Sequence, residues 1–378
     1  MNLKLKQQYT AEEVRTALFQ MHPTKAPGMD GFSAMFYQKF WGLVMEDVTK
    51  EVLRFLNDGV MDQSWNETVI ILVPKKKGAC RVGEYRPISL CNVIMKIVTK
   101  VLANRLQYCL PEIISQSQSA FVKGRLITDN VLVAQELDNY IKHRKQGQDT
   151  YVSLKIDMSK AYDRMEWIFL EKMLIGLGFD ETWVSRVMAC VRTVTYRVKI
   201  NGQFSNIITP GRGLRQGDPL SPYLFIICQE WLTLKLNAEQ CSGRLDGVRL
   251  GRGIPTINHL FFADDCVLFL KASLHSLQVL KDILSLYERA SGQQVNFQKS
   301  ELSVSKNMDG VLKVLVAEFM GMEMVEKHSK YLGLPLGVGQ NKREVFRWLE
   351  DTMAKRIQDW KHLLLSAAGK EVLIKNCL

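Results

Sequence analysis

The chain has 378 residues, 47% of them hydrophobic, and carries 50 Lys and Arg against 39 Asp and Glu, a formal net charge of +11. That size supports a large core, read as subdomains of one unit and not as independent modules, and the positive field favours a polyanionic partner such as nucleic acid. No apolar run approaches the roughly 20 residues of a spanning helix, the N-terminus lacks a signal-peptide core, and the eight cysteines include no C-x-x-C pair, so membrane spans, secretion, structural zinc and a disulfide framework are not expected; the chain reads as intracellular, in nucleus or cytoplasm.

In chain order, Thr10-Ala-Glu-Glu13 has the form of a capping box opening a short helix, and residues 33 to 57 read as a second, longer one. Thr68 to Val73 reads as a strand, followed by a basic turn and helices over 92–108 and 128–145. Val73-Pro-Lys75 ends that strand, and Lys76, Lys77, Arg81 and Arg86 follow within one excursion, where several cations can converge on a triphosphate or simply solubilise a turn. Tyr151 to Asp157 alternates Val152, Leu154 and Ile156 on one face and ends on Asp157. Tyr162, Met165, Phe169 and Met173 then fall on one helical stripe behind Ser159 as N-cap, with Gly176 and Gly178 marking the stop. Asp157 thus stands at a strand-to-helix mouth.

Asn201-Gly202 is a good type I′ hairpin turn, and Gly213-Leu-Arg-Gln-Gly-Asp-Pro219 predicts Asp218 as N-cap and Pro219 as the first helical residue. Further on, Asp264 and Asp265 interrupt the apolar stretch from Phe261 to Leu270, which reads as a hairpin with both acids at its turn. Asp-Asp is a poor turn dipeptide, because both central residues often need positive φ. Like charges side by side raise each other's proton affinity unless a hard cation such as Mg²⁺ neutralises them. Asp157 brought into the same sheet would complete the oxygen cluster that two metal ions about 3.5–4 Å apart require for in-line phosphoryl transfer. The order of elements from 151 to 303 predicts a split βαβ unit, with helices covering one face of an antiparallel sheet, hence an α+β fold. After residue 331 a helix carries Trp348, Leu349, Met353, Ile357 and Trp360 on one stripe and Arg343, Arg347, Lys355 and Lys361 opposite.

Phe262-Ala-Asp-Asp265, with Asp157-Met-Ser-Lys-Ala-Tyr-Asp163 and Gly213 to Pro222, resembles the reverse transcriptase of non-LTR retrotransposons, the LINE elements, and most closely the plant LINE type. Lys25-Ala-Pro-Gly-Met-Asp-Gly-Phe32, Val73-Pro-Lys75, Tyr85-Arg-Pro-Ile-Ser-Leu90, Ser117-Gln-Ser-Ala-Phe-Val-Lys-Gly-Arg125 and Tyr331-Leu-Gly-Leu-Pro-Leu-Gly337 are similar to further blocks of that family, in its order. The resemblance implies a right-hand polymerase: an N-terminal extension at 1–59, fingers at 60–150, a ferredoxin-like palm at 151–303, and a primer grip with partial thumb or connection at 304–378.

It further implies an RNA-directed DNA polymerase that extends a DNA primer on an RNA template, consuming deoxynucleoside triphosphates. Asp157, Asp264 and Asp265 would hold two Mg²⁺ ions, for which Mn²⁺ can substitute. Lys75 and Arg86 correspond to triphosphate contacts, and Gln216 with Gly217 lies against the incoming nucleotide and template. Tyr162 matches the steric gate beneath the sugar, and Lys299 a lysine near the leaving pyrophosphate. Tyr331, Leu332 and Gly333 match the primer grip. LINE proteins carry an endonuclease before the polymerase, whereas this chain begins near the first polymerase block and stops within a post-thumb block, with Lys370 at a common Arg position. It reads as a fragment of an element. The rival expectations are a silent nucleic-acid-binding remnant and, behind it, a group II intron-type reverse transcriptase with maturase function.

Overall fold

The computed structural model describes residues 1–326, 328–336 and 342–361, with Ser366, Gly369 and Glu371 beyond them; in the last helix, side chains are described from Arg347 to Gln358. Gly337, the side chains of Arg343, Trp360 and Lys361, and most of 364–378, Lys370 included, lie outside the described residues.

The N-terminal region is helical: α1 (Asn2–Leu5), α2 (Ala11–Phe19), α3 (Ala34–Lys39) and α4 (Trp41–Leu53). The capping box of α2 is formed, with Thr10 N–H donating to Glu13 Oε2 at 3.0 Å and Glu13 N–H to Thr10 Oγ1 at 3.3 Å. The single helix expected over 33–57 is broken at Phe40, whose backbone (φ −103°, ψ 20°) leaves the helical region. Buried Tyr37, Trp41, Val48, Val52 and Phe55 keep helical spacing across the break, so periodicity alone does not reveal it. Buried Arg105 staples this region to the rest. It pairs with Glu13 at 2.6 Å, lies 3.5 Å over the Tyr9 ring, and donates to the carbonyls of Leu5 and Gln8.

Strands β1 (Glu67–Pro74) and β2 (Tyr85–Cys91) pair antiparallel, followed by α5 (Val93–Gln107), α6 (Leu110–Ile113) and α7 (Ile127–His143). Next come β3 (Tyr151–Ile156), α8 (Ala161–Arg164), α9 (Trp167–Gly176), α10 (Glu181–Arg192), β4 (Thr195–Ile200) and β5 (Gln203–Phe204). The β4–β5 turn has positive φ at both Asn201 (50°) and Gly202 (85°), as a type I′ turn requires. That hairpin does not join β3. It runs parallel to β1, giving a four-stranded sheet in the order β2-β1-β4-β5.

After α11 (Ser221–Cys241), β6 (His259–Phe262) and β7 (Asp265–Lys271) form the second hairpin, and α12 (Leu274–Ser291), β8 (Glu301–Val304), α13 (Gly310–Met320), β9 (Glu323–Met324) and α14 (Lys342–Lys361) complete the order. The second sheet reads β6-β7-β3-β8-β9, antiparallel except for the β8–β9 pair. One face, with Val152, Leu154, Ile156, Leu268 and Leu302, packs into the core that holds α9, α11 and α12. Its other face is also covered. Leu260, Val267 and Phe269 meet Ala134, Leu137 and Ile141 of α7 together with Tyr331. The unbroken apolar run of β7 is the sequence signature of a strand buried on both sides. On α14, Trp348 packs under Lys330 at 3.8 Å, while Leu349, Met353 and Ile357 are exposed.

The link from β9 to Tyr331 is pinned to the back of this sheet. Glu301 Oε2 accepts from Ser329 N–H at 2.9 Å and lies 3.3 Å from His328 Nδ1, whose Nε2 is 2.9 Å from Ser153 Oγ. Burial would raise the Glu301 carboxyl, but these hydrogen bonds outweigh it and bring it down to about 2 from 4.5. A depressed carboxyl stabilises the fold above its unfolded value, and that contribution is lost as pH falls from 4.5 towards about 2. Glu301→Gln should therefore lower stability at neutral pH and flatten the stability loss across that acid window, as measured by urea denaturation at stepped pH.

Candidate active site

The antiparallel register of β3 on β7 sets Ile156 opposite Cys266, so the next residues outward, Asp157 and Asp265, face each other across the strand ends. Between β6 and β7 the loop is two residues, Ala263 and Asp264, because Phe262 already pairs with Asp265. Positive φ falls on Ala263 (52°) and on neither acid. That resolves the poor turn chemistry of Asp-Asp: the strained position is taken by the residue before the pair, and Asp265 is strand, not turn. All three acids are exposed. Nevertheless the surrounding walls withdraw water from Asp264 and Asp265 and raise both above the ordinary carboxylate value. Asp157 adds to the rise at Asp264 and Arg86 opposes it; at Asp265, Asp264 adds and Lys155 opposes.

A cleft of about 1200 Å³ opens in front of these strand ends, between the two sheets. Asp157 and Asp264 line it together with Lys75, Arg86, Tyr162, Gln216, Gly217 and Lys299. Eight positions scattered from 75 to 299 thus share one cavity. Asp265 is not among its lining residues. Nor are Tyr331, Leu332 and Gly333. Tyr331 is fully buried, its hydroxyl 3.3 Å from Asn130 Nδ2, and it exchanges backbone hydrogen bonds with Leu334 around a tight turn with positive φ at Leu332 (51°) and Gly333 (82°). The ring anchors the turn, and only the tip stays open to a ligand.

Several lining residues are held by identifiable local devices. Lys75 follows β1 and donates to Gly83 O at 3.1 Å, while Lys76 is diverted into a surface ion pair with Glu84 at 2.6 Å. The turn carrying Lys299 is tied to Asp157: Asn296 N–H donates to Asp157 O at 2.8 Å and Asp157 N–H to Ser300 Oγ at 3.1 Å. Gln216 is fixed by its own carbonyl, which accepts from Ser89 N–H at 2.9 Å. Gly217 has φ 117°, and a Cβ there would meet Ser89 O at 2.9 Å.

Two expected helix starts are displaced, both for reasons that serve this loop. Asp218 does not cap α11, which begins at Ser221. Its Oδ1 accepts from Leu220 N–H at 2.8 Å and its Oδ2 pairs with buried Arg215 at 2.7 Å. A buried guanidinium needs that counter-charge more than the helix needs a cap. Likewise Ser159 does not cap one long helix; its N–H pairs with Gln294 O, Lys160 takes φ 49°, and the helix breaks between Arg164 and Trp167. The break frees two carbonyls for the loop before Gln216. Tyr162 O accepts from Leu214 N–H at 2.7 Å and Met165 O from Gly213 N–H at 2.8 Å.

Tyr162 is half-buried, stacked on Phe225 with centroids 4.9 Å apart at 9°, and its hydroxyl is pushed up by burial and by Asp264. Packing and cleft lining coexist in this one ring. Asp163 also lines the cleft, with a carboxyl raised by burial, and no role was expected for it although it ends the motif begun by Asp157.

Residues 73–336 match the family described as reverse transcriptase (RNA-dependent DNA polymerase), and the chain belongs to that family. It is 30% identical over 382 residues to the transposon TX1 uncharacterized 149 kDa protein of Xenopus laevis, covering 99% of this chain and 28% of that protein. It is 27% identical over 300 residues to the Pol polyprotein of the type-1 retrotransposable element R2 of Popillia japonica, covering 79% of this chain and 40% of the relative. An uncharacterized mitochondrial protein of Arabidopsis thaliana, AtMg01250, is 58% identical over 66 residues, 18% of this chain and 54% of that protein. Together these make the domain a non-LTR type of reverse transcriptase with the right-hand, α+β architecture of the family. The chain spans less than half the length of the transposon relatives. A solved apo telomerase from Candida Tropicalis aligns over 76% of this chain and 59% of that one at 16% identity and a TM-score of 0.46, too loose a likeness to assign any residue's role.

Reverse transcriptases use divalent metal ions. The donor set fits such an ion chemically: hard carboxylate oxygens, open to a cleft, with no Lys or Arg ion pair on Asp157, Asp264 or Asp265 among the described residues. The described residues nevertheless include no ready group of three or more ligands. Small hard cations often take only one or two carboxylates and fill the rest of their shell with water and substrate phosphate.

Gly217→Ala introduces a Cβ against Ser89 O at a φ that L residues rarely adopt, so it should displace Gln216. Under the nucleotide-contact role proposed below for Gln216, the expected outcome is a rise in KM for the nucleotide of about tenfold or more in single-nucleotide extension.

Proposed function

We propose that this domain performs RNA-templated DNA synthesis, adding deoxynucleotides to the 3′-hydroxyl of a DNA primer, for a non-LTR element of the plant LINE type. One observation carries the reading: Asp157 and Asp264 share a cleft with Lys75, Arg86, Gln216 and Lys299. Acids at the centre suit metal-assisted attack, and cations at the rim suit a triphosphate. The high identity to a short Arabidopsis protein supports the plant assignment.

In this reading Asp157 and Asp264, with Asp265 at the margin, would hold Mg²⁺, which when bound would favour the primer oxyanion and offset charge on the α-phosphate and leaving pyrophosphate. Lys75 and Arg86 receive the triphosphate, and Arg86 already bears electrostatically on Asp264. Gln216 and Gly217 present backbone and amide to the nascent base pair. Tyr162 lies beneath the sugar, where a 2′-hydroxyl would collide with it. Lys299, on the turn tied to Asp157, gives a proton to the leaving pyrophosphate. The tip at Leu332-Gly333 positions the primer backbone, with Tyr331 as its buried root. Template pairing selects the base, so these residues position without reading sequence.

Asp157→Asn and Asp264→Asn should each abolish extension of a DNA primer on homopolymer RNA, while affinity for an RNA–DNA hybrid persists because basic contacts to phosphate supply it. Near wild-type extension by Asp264→Asn under Mg²⁺ would overturn the assignment. Tyr162→Val separates the two roles of the ring. Loss of stacking on Phe225 lowers all incorporation alike, whereas loss of a gate raises the ratio of ribonucleotide to deoxyribonucleotide kcat/KM. We expect the ratio to rise; an unchanged ratio in a variant that still extends leaves Tyr162 as core packing.

A further inference from the structure

The segment from Ser117 to Arg125 has no part in the chemistry above, yet it is built into the catalytic hairpin. Phe261 N–H donates to Ser117 O at 2.7 Å and Ser119 N–H to Phe261 O at 3.1 Å, so the chain at Gln118 joins β6 through a single parallel bridge. Asn130 Nδ2 reinforces the join, donating to the same Phe261 carbonyl at 2.8 Å. Gln118 itself is 1% exposed. Its Oε1 accepts from Ala120 N–H at 2.9 Å and from Ala263 N–H at 3.1 Å. Its Nε2 donates to Gln229 Oε1 at 2.7 Å, and Gln229 Nε2 reaches Cys266 Sγ at 3.2 Å. The two buried amides therefore grip the backbone just before the Asp264-Asp265 pair and the side chain just after it.

Ala263 needs that grip. With φ 52° it is a non-glycine residue in the left-handed region, a conformation that persists only where the surroundings over-determine it. Relaxation of Ala263 would rotate the peptide that carries Asp264. We propose that Gln118 is a positioning residue for nucleotide transfer: its buried carbonyl oxygen holds Ala263 left-handed and so aims Asp264 into the cleft beside Asp157. Gln118 touches no substrate and acts through the turn. The inference rests on the reading of Asp264 as a catalytic acid.

Gln118→Met keeps side-chain length and removes the acceptor. Primer extension should lose about tenfold or more in kcat while KM for primer-template stays within about twofold, because only the geometry of the reacting acid is disturbed. Adding Ala263→Gly should restore most of the loss, since glycine adopts positive φ without a brace. In the metal-free protein, hydrogen exchange of the Ala263 amide should speed up in Gln118→Met. An unchanged kcat, an Ala263 amide as protected as in the wild type, or a loss that glycine does not recover would each overturn the proposal and leave Gln118 as ordinary core. Asp264→Asn, assayed beside them, separates the two layers. An inactive Asp264→Asn with a fully active Gln118→Met sinks the positioning role alone, whereas an active Asp264→Asn sinks the reading of the site and this inference with it.

Discussion

The pairing of β3 with β7 is the interaction on which the site depends. Its register brings the end of one strand, at Asp157, against the start of another that is over a hundred residues away in sequence. A slip of one residue would turn Val152, Leu154 and Ile156 out of the core and carry Asp157 to the opposite face. The register is secured because both faces of the sheet are buried, by α9, α11 and α12 on one side and by α7 with Tyr331 on the other. Hydrophobic burial thus pays for the close approach of like charges at the sheet's edge.

Around that edge, polar groups inside the fold are spent on fixing backbone. Arg215 and Asp218 neutralise one another beneath the Gln216 loop, Ser89 holds the Gln216 carbonyl, and the interrupted helix after Lys160 gives up two carbonyls to the same loop. Gln118 and Gln229 do the equivalent work beneath the acidic turn. Such buried networks stabilise little on balance, but each leaves a costly orphan if one member is removed, which makes the local conformation specific. The backbone of both loops is in this way tied by hydrogen bonds to the elements beside them.

The sheet β2-β1-β4-β5 is the second wall of the cleft. Because β4 runs parallel to β1, a hairpin from mid-chain completes a sheet begun early, and Lys75 and Arg86 line the same cleft as Asp264. The cations do not sit in ion pairs with the central acids. They are spaced across the cleft from Asp157 and Asp264, so the two signs of charge stay separate at its rim and its centre.

Much of the architecture was legible in local pattern. The capping box at Thr10, the alternation ending at Asp157, the type I′ turn at Asn201-Gly202 and the apolar flanks of Asp264 each report a local preference that tertiary structure did not override. Eight of the expected site residues meet in one cleft because their motifs lie near strand ends, turns and helix starts, which the topology gathers at its walls. What sequence periodicity could not convey is where a helix is interrupted to donate its carbonyls elsewhere, as at Met165, or why a helix-cap residue such as Asp218 serves a buried arginine instead. It also left Tyr331 looking like a contact residue, when burial makes it an anchor. Those outcomes depend on partners far away in sequence: Gly213 for Met165, Asn66 and Cys190 for Arg215, Asn130 for Tyr331. Local propensity belongs to neighbouring residues and is written along the chain; burial and hydrogen-bond satisfaction belong to the assembled fold, and only the tertiary structure decided them.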